Sequence, residues 1–293
     1  FLGRRSRVPS GAVNVTPFTS LQGFEDGASF SPDGNQIVFS WNGAGRDNRD
    51  IYVKMIGTMS PLRLTSDPAD EVSPAWSPDG RQIAFVRSSE TGSAIFTVSP
   101  LGGSERKLHD LKDWQGFSWA PDGKSLAISE RSSVNSPYRV ILLSAETLET
   151  TPLTSPPNQS FGDRVSGFSP DGRMVAFSRS PKVLVDDLWV QPVSGGEARR
   201  LTSESFTFIP GVTWTADGQD IVFSAQARTT GSPTLWRVSA SGGTPERIPG
   251  IGENASNPAV SLQGNRLAFT SAAQARAAIW RLPGPKSSSP SRA

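Results

Sequence analysis

Four groups of polar side chains in this 293-residue chain have the types and spacing to do chemistry. They are Glu25 with Asp26, Asp70 with Glu71, Asp113 with Trp114, and Asp163 with Arg164, four to six residues ahead of Phe30, Trp76, Trp119 and Phe168. Carboxylates gathered in this way suit a cation or a basic peptide segment. Two of them at the right separation would serve glycoside hydrolysis or elimination. The competing reading is structural, with each acid hydrogen-bonded to the backbone of adjoining loops. Thiolate chemistry is excluded because there is no cysteine. The single histidine, His109, lies in Lys107-Leu108-His109-Asp110 with no Gly-x-Ser-x-Gly elbow to serve. Asp47-Asn48-Arg49-Asp50 has too few acids for a calcium loop. No cofactor is expected, although a cluster of acids leaves room for a cation such as calcium.

The elements that position these side chains repeat along the chain. Ser31-Pro32-Asp33-Gly34 recurs at Ser77–Gly80, Ala120–Gly123 and Ser169–Gly172, with degenerate copies at Thr215–Gly218 and Ser261–Gly264. The glycines are 46, 43, 49, 46 and 46 residues apart. Each copy follows an aromatic or apolar residue and suits a type I turn, so its Asp reads as a turn cap. A short apolar strand comes next, such as Ile37-Val38-Phe39 or Ile83-Ala84-Phe85. A variable loop, a third strand such as Leu188-Trp189-Val190, a Gly-rich turn and a segment ending in Leu-Thr complete the unit. Four short strands per unit, without sustained helical periodicity, predict an all-β, six-bladed propeller.

The expected domain is a single propeller over 13–282. Its blades cover 20–65, 66–109, 110–154, 155–202, 203–249 and 250–282, the last completed by a closing strand at 13–19. Segments 1–12 and 283–293 read as tails. In a propeller the first strand of each blade lines the channel, so Glu25, Asp26, Asp70, Glu71, Asp113, Trp114, Asp163 and Arg164 are expected at one channel mouth. The variable loops 41–50, 130–138, 180–186 and 225–233 are the expected binding loops.

The isoelectric point near 9.2 does not point to nucleic acid. Arg4, Arg5, Arg7, Lys286 and Arg292 belong to the tails. Without them 24 basic side chains face 27 acidic ones, a net charge of −3. No stretch of 18 apolar residues is present, so no membrane insertion is expected of this segment. The opening Phe1-Leu2-Gly3-Arg4-Arg5 reads as an excised piece, and apolar residues followed by arginines are compatible with the flank of a membrane anchor.

Pro74-Ala75-Trp76-Ser77-Pro78-Asp79-Gly80-Arg81-Gln82-Ile83-Ala84-Phe85, followed elsewhere by Leu-Trp-Val and Gly-Gly turns, resembles the TolB-type, WD-repeat-like propeller family over residues 13–282. Gln263, Ala216, Leu262 and Trp114 depart from its pattern. The resemblance implies a non-catalytic protein-interaction or sensing module of a larger bacterial protein, binding protein or peptide and monomeric in isolation. It also implies a periplasmic or extracytoplasmic setting, and a place in a membrane-tethered transcriptional regulator of the CadC kind. The alternative is an enzyme, either a glycosidase or lyase using the mouth carboxylates, or a gating propeller of a serine peptidase or kinase.

Overall fold

The computed structural model describes residues 15–45, 48–204, 206–228, 231–263, 266–273 and 276–283. Residues 1–12 and 284–293 of the expected tails, 13 and 14 of the closing strand, parts of loops 41–50 and 225–233, and Gly264 lie outside them.

A short strand, β1 (Thr16–Pro17), comes first. Blade one is β2 (Glu25–Phe30), β3 (Gln36–Trp41), β4 (Asp50–Met55) and β5 (Leu62–Arg63). Blade two is β6 (Asp70–Trp76), β7 (Ile83–Ser89), β8 (Gly92–Val98) and β9 (Arg106–Leu111). Blade three is β10 (Asp113–Trp119), β11 (Ser125–Arg131), β12 (Arg139–Ser144) and β13 (Thr150–Pro152). Blade four is β14 (Gly162–Phe168), β15 (Met174–Lys182), β16 (Val185–Pro192) and β17 (Arg199–Arg200). Blade five is β18 (Phe208–Trp214), β19 (Asp220–Gln226), β20 (Thr234–Ser239) and β21 (Glu246–Arg247). These five sheets are antiparallel and paired in chain order. A sixth, composite sheet joins β22 (Ala255–Val260), β23 (Arg266–Ala273) and β24 (Arg276–Pro283) to β1.

The second strand of each blade carries an apolar run of three residues because that part is covered on both faces. Ile37, Val38 and Phe39 are fully buried, as are Ile83, Ala84 and Phe85. The core therefore lies between sheets, with one apolar cluster at each junction. Val38, Ile51 and Val53 of blade one meet Trp76, Ile83 and Phe85 of blade two, and Phe30 and Phe39 meet Ala268 and Ile279 of the composite sheet.

The Pro-Asp-Gly turns lock the neighbouring blades on the opposite face. Asp33, Asp79, Asp171 and Asp217 each accept from the Ser or Thr two residues earlier and from the backbone N–H two residues later. The hydroxyl bond in particular holds these carboxyls below their usual range. The glycine of one turn packs on the proline of the preceding turn. A side chain at Gly80 would meet Pro32 at 3.6 Å, and one at Gly172 would meet Pro121 at 3.7 Å.

The first strands β2, β6, β10, β14, β18 and β22 adjoin one another in a ring, and each carries a register shift against its second strand. Gly27, Ser73 and Asn257 take φ of 67°, 54° and 49° there. Such bulges bend the strand and re-aim the side chains at its start.

The expectation of six like blades shut by a strand over 13–19 needs correction. Only five sheets are contiguous four-stranded blades. The composite sheet receives from the N-terminus two exposed residues, Thr16 opposite Arg281 and Pro17 opposite Trp280. So short a strand, half of it a proline without an N–H, gives little cohesion. The seam is held further by residues outside β1, where the Phe18 N–H donates to the Ile279 carbonyl at 2.8 Å. Phe18 is buried against Ile279, Arg266 Nη1 donates to the Gly34 carbonyl at 2.6 Å, and Asp26 bridges the two sheets. Asp26 Oδ1 accepts from Asn257 Nδ2 at 2.7 Å, Thr270 Oγ1 at 2.9 Å and the Gly27 N–H at 2.8 Å. Asp26→Ala strands these donors and is expected to cost on the order of 2 kcal/mol in urea unfolding. An unchanged midpoint would place the seam's cohesion elsewhere.

Candidate functional site

The antiparallel order puts the starts of β2, β6, β10 and β14 on the same face as the loops joining second to third strands. All eight candidate residues lie on that rim. Among the described residues the candidate acids of different blades make no bond to one another. Each is tied to a neighbouring strand instead.

The ties share a pattern. The threonine after an outer strand accepts from a third-strand N–H of its own blade and lies beside the acid that opens the next. Thr19 accepts from the Ile279 N–H at 3.1 Å and donates to Glu25 Oε2. Thr65 accepts from the Ile51 N–H and lies beside Glu71, and Thr154 accepts from the Val140 N–H and lies beside Asp163. Across the first strand pair an arginine then meets the acid. Arg87 Nε reaches Glu71 Oε1 at 2.9 Å and also contacts Glu105 and Asp67. Arg131 Nε reaches Asp113 Oδ2 at 2.7 Å, and Arg179 grips both oxygens of Asp163 at 2.6 and 2.8 Å.

Burial sets the electrostatics. Glu25, Glu71 and Asp163 have no solvent exposure. Desolvation pushes the Glu25 and Glu71 carboxyls up to about 7, although the threonine bonds pull the other way, and it raises Asp163 despite Arg179. Asp70 is held below its usual range by the Arg49 hydrogen bond. For Asp113, burial acts upward, but the Tyr138 hydroxyl at 2.6 Å and Arg131 together outweigh it and leave the carboxyl low.

Arg164 is buried, and its Nη2 donates to Ser180 Oγ at 2.9 Å and Asp186 Oδ2 at 2.6 Å. It sits over Phe161 at 4.9 Å and Phe208 at 5.4 Å, while Arg131 covers Tyr138 at 4.5 Å. Trp114 packs into the cluster between blades two and three. His109 lies in β9, where other blades have the tying threonine, and faces Glu130 at 3.4 Å. Among the described residues no three His, Asp or Glu side chains are grouped so as to hold a metal ion.

Above blades three to five the same face exposes Val134, Val183, Leu184 and Phe208. Val183 and Leu184 form the tip of the β15–β16 hairpin, whose last pair is Lys182 with Val185. Two-residue hairpin turns favour Gly or Asn at positive φ. Here Leu184 takes φ 61° with 63% of its surface exposed. The positive φ carries a local cost, which Leu148 in the β12–β13 turn also bears.

Inspection of the acids alone misses Arg87, Arg131 and Arg179, and Asp186. The three arginines do have a signal, since they stand seven or eight residues after the turn glycines of units two to four. Asp186 has none. It falls within the expected loop 180–186 but lies in β16, and it binds the Ile209 N–H at 3.0 Å, at the junction where blade five lacks the opening acid.

The family model described as TolB beta propeller domain matches residues 10–184. The Uncharacterized peptidase YuxL of Bacillus subtilis is 29% identical over 108 residues, which is 34% of this chain and 16% of that protein. Dipeptidyl-peptidase 5 of Porphyromonas gingivalis is 24% identical over 238 residues, 76% of this chain and 33% of that enzyme. The chain thus spans a third or less of these relatives' length. The structure of putative TolB from Agrobacterium tumefaciens superposes with a TM-score of 0.67 at 21% identity, covering 90% of this chain and 91% of that one, a likeness of fold. The expected tie to a transcriptional regulator finds no support among these relatives and is withdrawn.

Proposed function

The chain belongs to the TolB beta propeller domain family, and on that premise we propose that residues 13–282 act as a non-catalytic protein-interaction module of a larger, extracytoplasmic bacterial protein. The observation that carries this reading is the exposure of Val134, Val183, Leu184 and Phe208 on one face, with Leu184 held at a positive φ. Solvent-exposed apolar side chains gathered on a rigid frame suit a protein or peptide partner. The adjacent rim carboxylates border that surface, and each is already engaged by threonine or arginine rather than poised as an acid–base pair. A body charge of −3 gives no basic stripe for nucleic acid.

A photo-crosslinker placed at Leu184 is expected to capture a discrete partner from the source bacterium. The same group at Met59, exposed on the opposite face, is expected to capture none. Val183→Asp should abolish the Leu184 adduct without lowering thermal stability. Equal labelling from both faces would sink the proposal. A second reading, the gating propeller of a peptidase, is favoured by the alignment with Dipeptidyl-peptidase 5 over 76% of this chain.

A further inference from the structure

The outer strands are not alike. β5, β17 and β21 have two residues and β13 has three, whereas β9 has six. The reason is local. Only Lys112 separates β9 from β10, so chain that elsewhere forms a loop between blades is zipped onto β8. Blade two therefore presents an outer edge long enough to pair with another strand, a feature proteins usually shorten or cover. Beside it runs an open groove of about 400 Å³, lined by Lys107, Leu108, His109, Asp110 and Leu148.

We propose that β9 pairs antiparallel with β9 of a second copy of this chain about a two-fold axis. The pairing would centre on Leu108 and His109, placing Lys107 opposite the second copy's Asp110, Asp110 opposite its Lys107, and Arg106 opposite its Leu111. Both salt-bridging residues are exposed, with side-chain exposures of 49% and 78%, and already pair within the strand. They share a face because β9 has a register shift at Leu108, between the Phe96–Lys107 and Ile95–His109 pairs. That irregularity also selects the occupant. A regular peptide strand would lose register at the extra residue, whereas a second β9 brings the same extra residue to the axis. The charges act alike. Lys107 and Asp110 protect the edge against a strand of one charge sign, and are matched by their own copy.

A six-residue pairing gives a small interface, so the expected dimer is weak and concentration-dependent. Sedimentation velocity across a concentration series tests it. The wild-type chain should shift from monomer toward dimer. Lys107→Asp and Asp110→Lys each set like charges opposite one another twice per interface, and each should weaken self-association by roughly tenfold. Mixing the two variants restores opposite charges at both positions and should recover the dimer. Unchanged thermal melts of both variants would exclude misfolding. A wild-type chain that stays monomeric throughout, or variants that associate as it does, would overturn the proposal.

Discussion

Glu25→Gln is expected to stabilise the protein by about 2 kcal/mol near pH 8 and to leave it almost unchanged near pH 5. Glu25 is fully buried at the seam, where the Thr19 hydroxyl is bonded to one oxygen and the other lies without a hydrogen-bond partner. Burial lifts its carboxyl from 4.5 to about 7. The folded chain therefore holds this proton more tightly than the unfolded chain does. The group's contribution is complete below about pH 4.5, falls as pH rises through the interval, and is diminished by about 3 kcal/mol above pH 7. Glutamine keeps an acceptor for Thr19 and carries no charge, so the difference between variant and wild type should grow over that interval and then level. Part of the gain is offset because the amide nitrogen inherits the unpartnered position. Glu71 shifts in the same direction in both proteins. The turn carboxyls oppose it at lower pH, since Asp33, Asp79, Asp171 and Asp217 contribute stability that is lost as pH falls through their depressed folded values. Wild-type stability should consequently peak between these two windows. Urea unfolding at a series of pH values measures both. A variant less stable than wild type near pH 8 would mean that the fold favours the ionised Glu25 carboxylate and does not raise its pKa.

Much of this frame is legible in the sequence because its determinants are local. Pro fixes φ, Gly accepts a positive one and Asp caps the turn, so the Ser-Pro-Asp-Gly copies mark where first strands end and second strands begin. What escapes is set by partners far away in the chain. The rim position of Glu71 can be read from its spacing to Trp76, yet its environment is made by Arg87 on the next strand and Thr65 on the preceding blade. The seam is a sharper case. Similarity between Val13–Thr19 and other fourth-strand segments points to the N-terminus, but the cohesion comes from Phe18 and from Asp26 reaching Asn257 and Thr270. β9 is longer than its counterparts because of a connector one residue long, which a repeat alignment absorbs as an ordinary length difference.

Arg179→Met is expected to cost 3–5 kcal/mol, roughly the penalty for leaving a buried carboxylate without its partner. Asp163 has no exposure, and Arg179 binds both of its oxygens while stacking on Trp189 at 4.8 Å. Adding Asp163→Leu should recover most of that loss, because a well-packed apolar pair replaces a desolvated ionic one at little net cost. The fold supplies its own precedents: the same repeat position holds Ile209 in blade five and Ala255 in the composite sheet, both fully buried. The double variant then separates the two readings of the rim acids. If it regains wild-type stability and still yields the Leu184 crosslink, Asp163 serves the junction between blades three and four, and the partner rests on the apolar face. If stability returns but the crosslink is lost, Asp163 belongs to the binding surface. Since the carboxylate is enclosed by Thr154 and Arg179 with no face left to solvent, retention of the crosslink is the expected outcome.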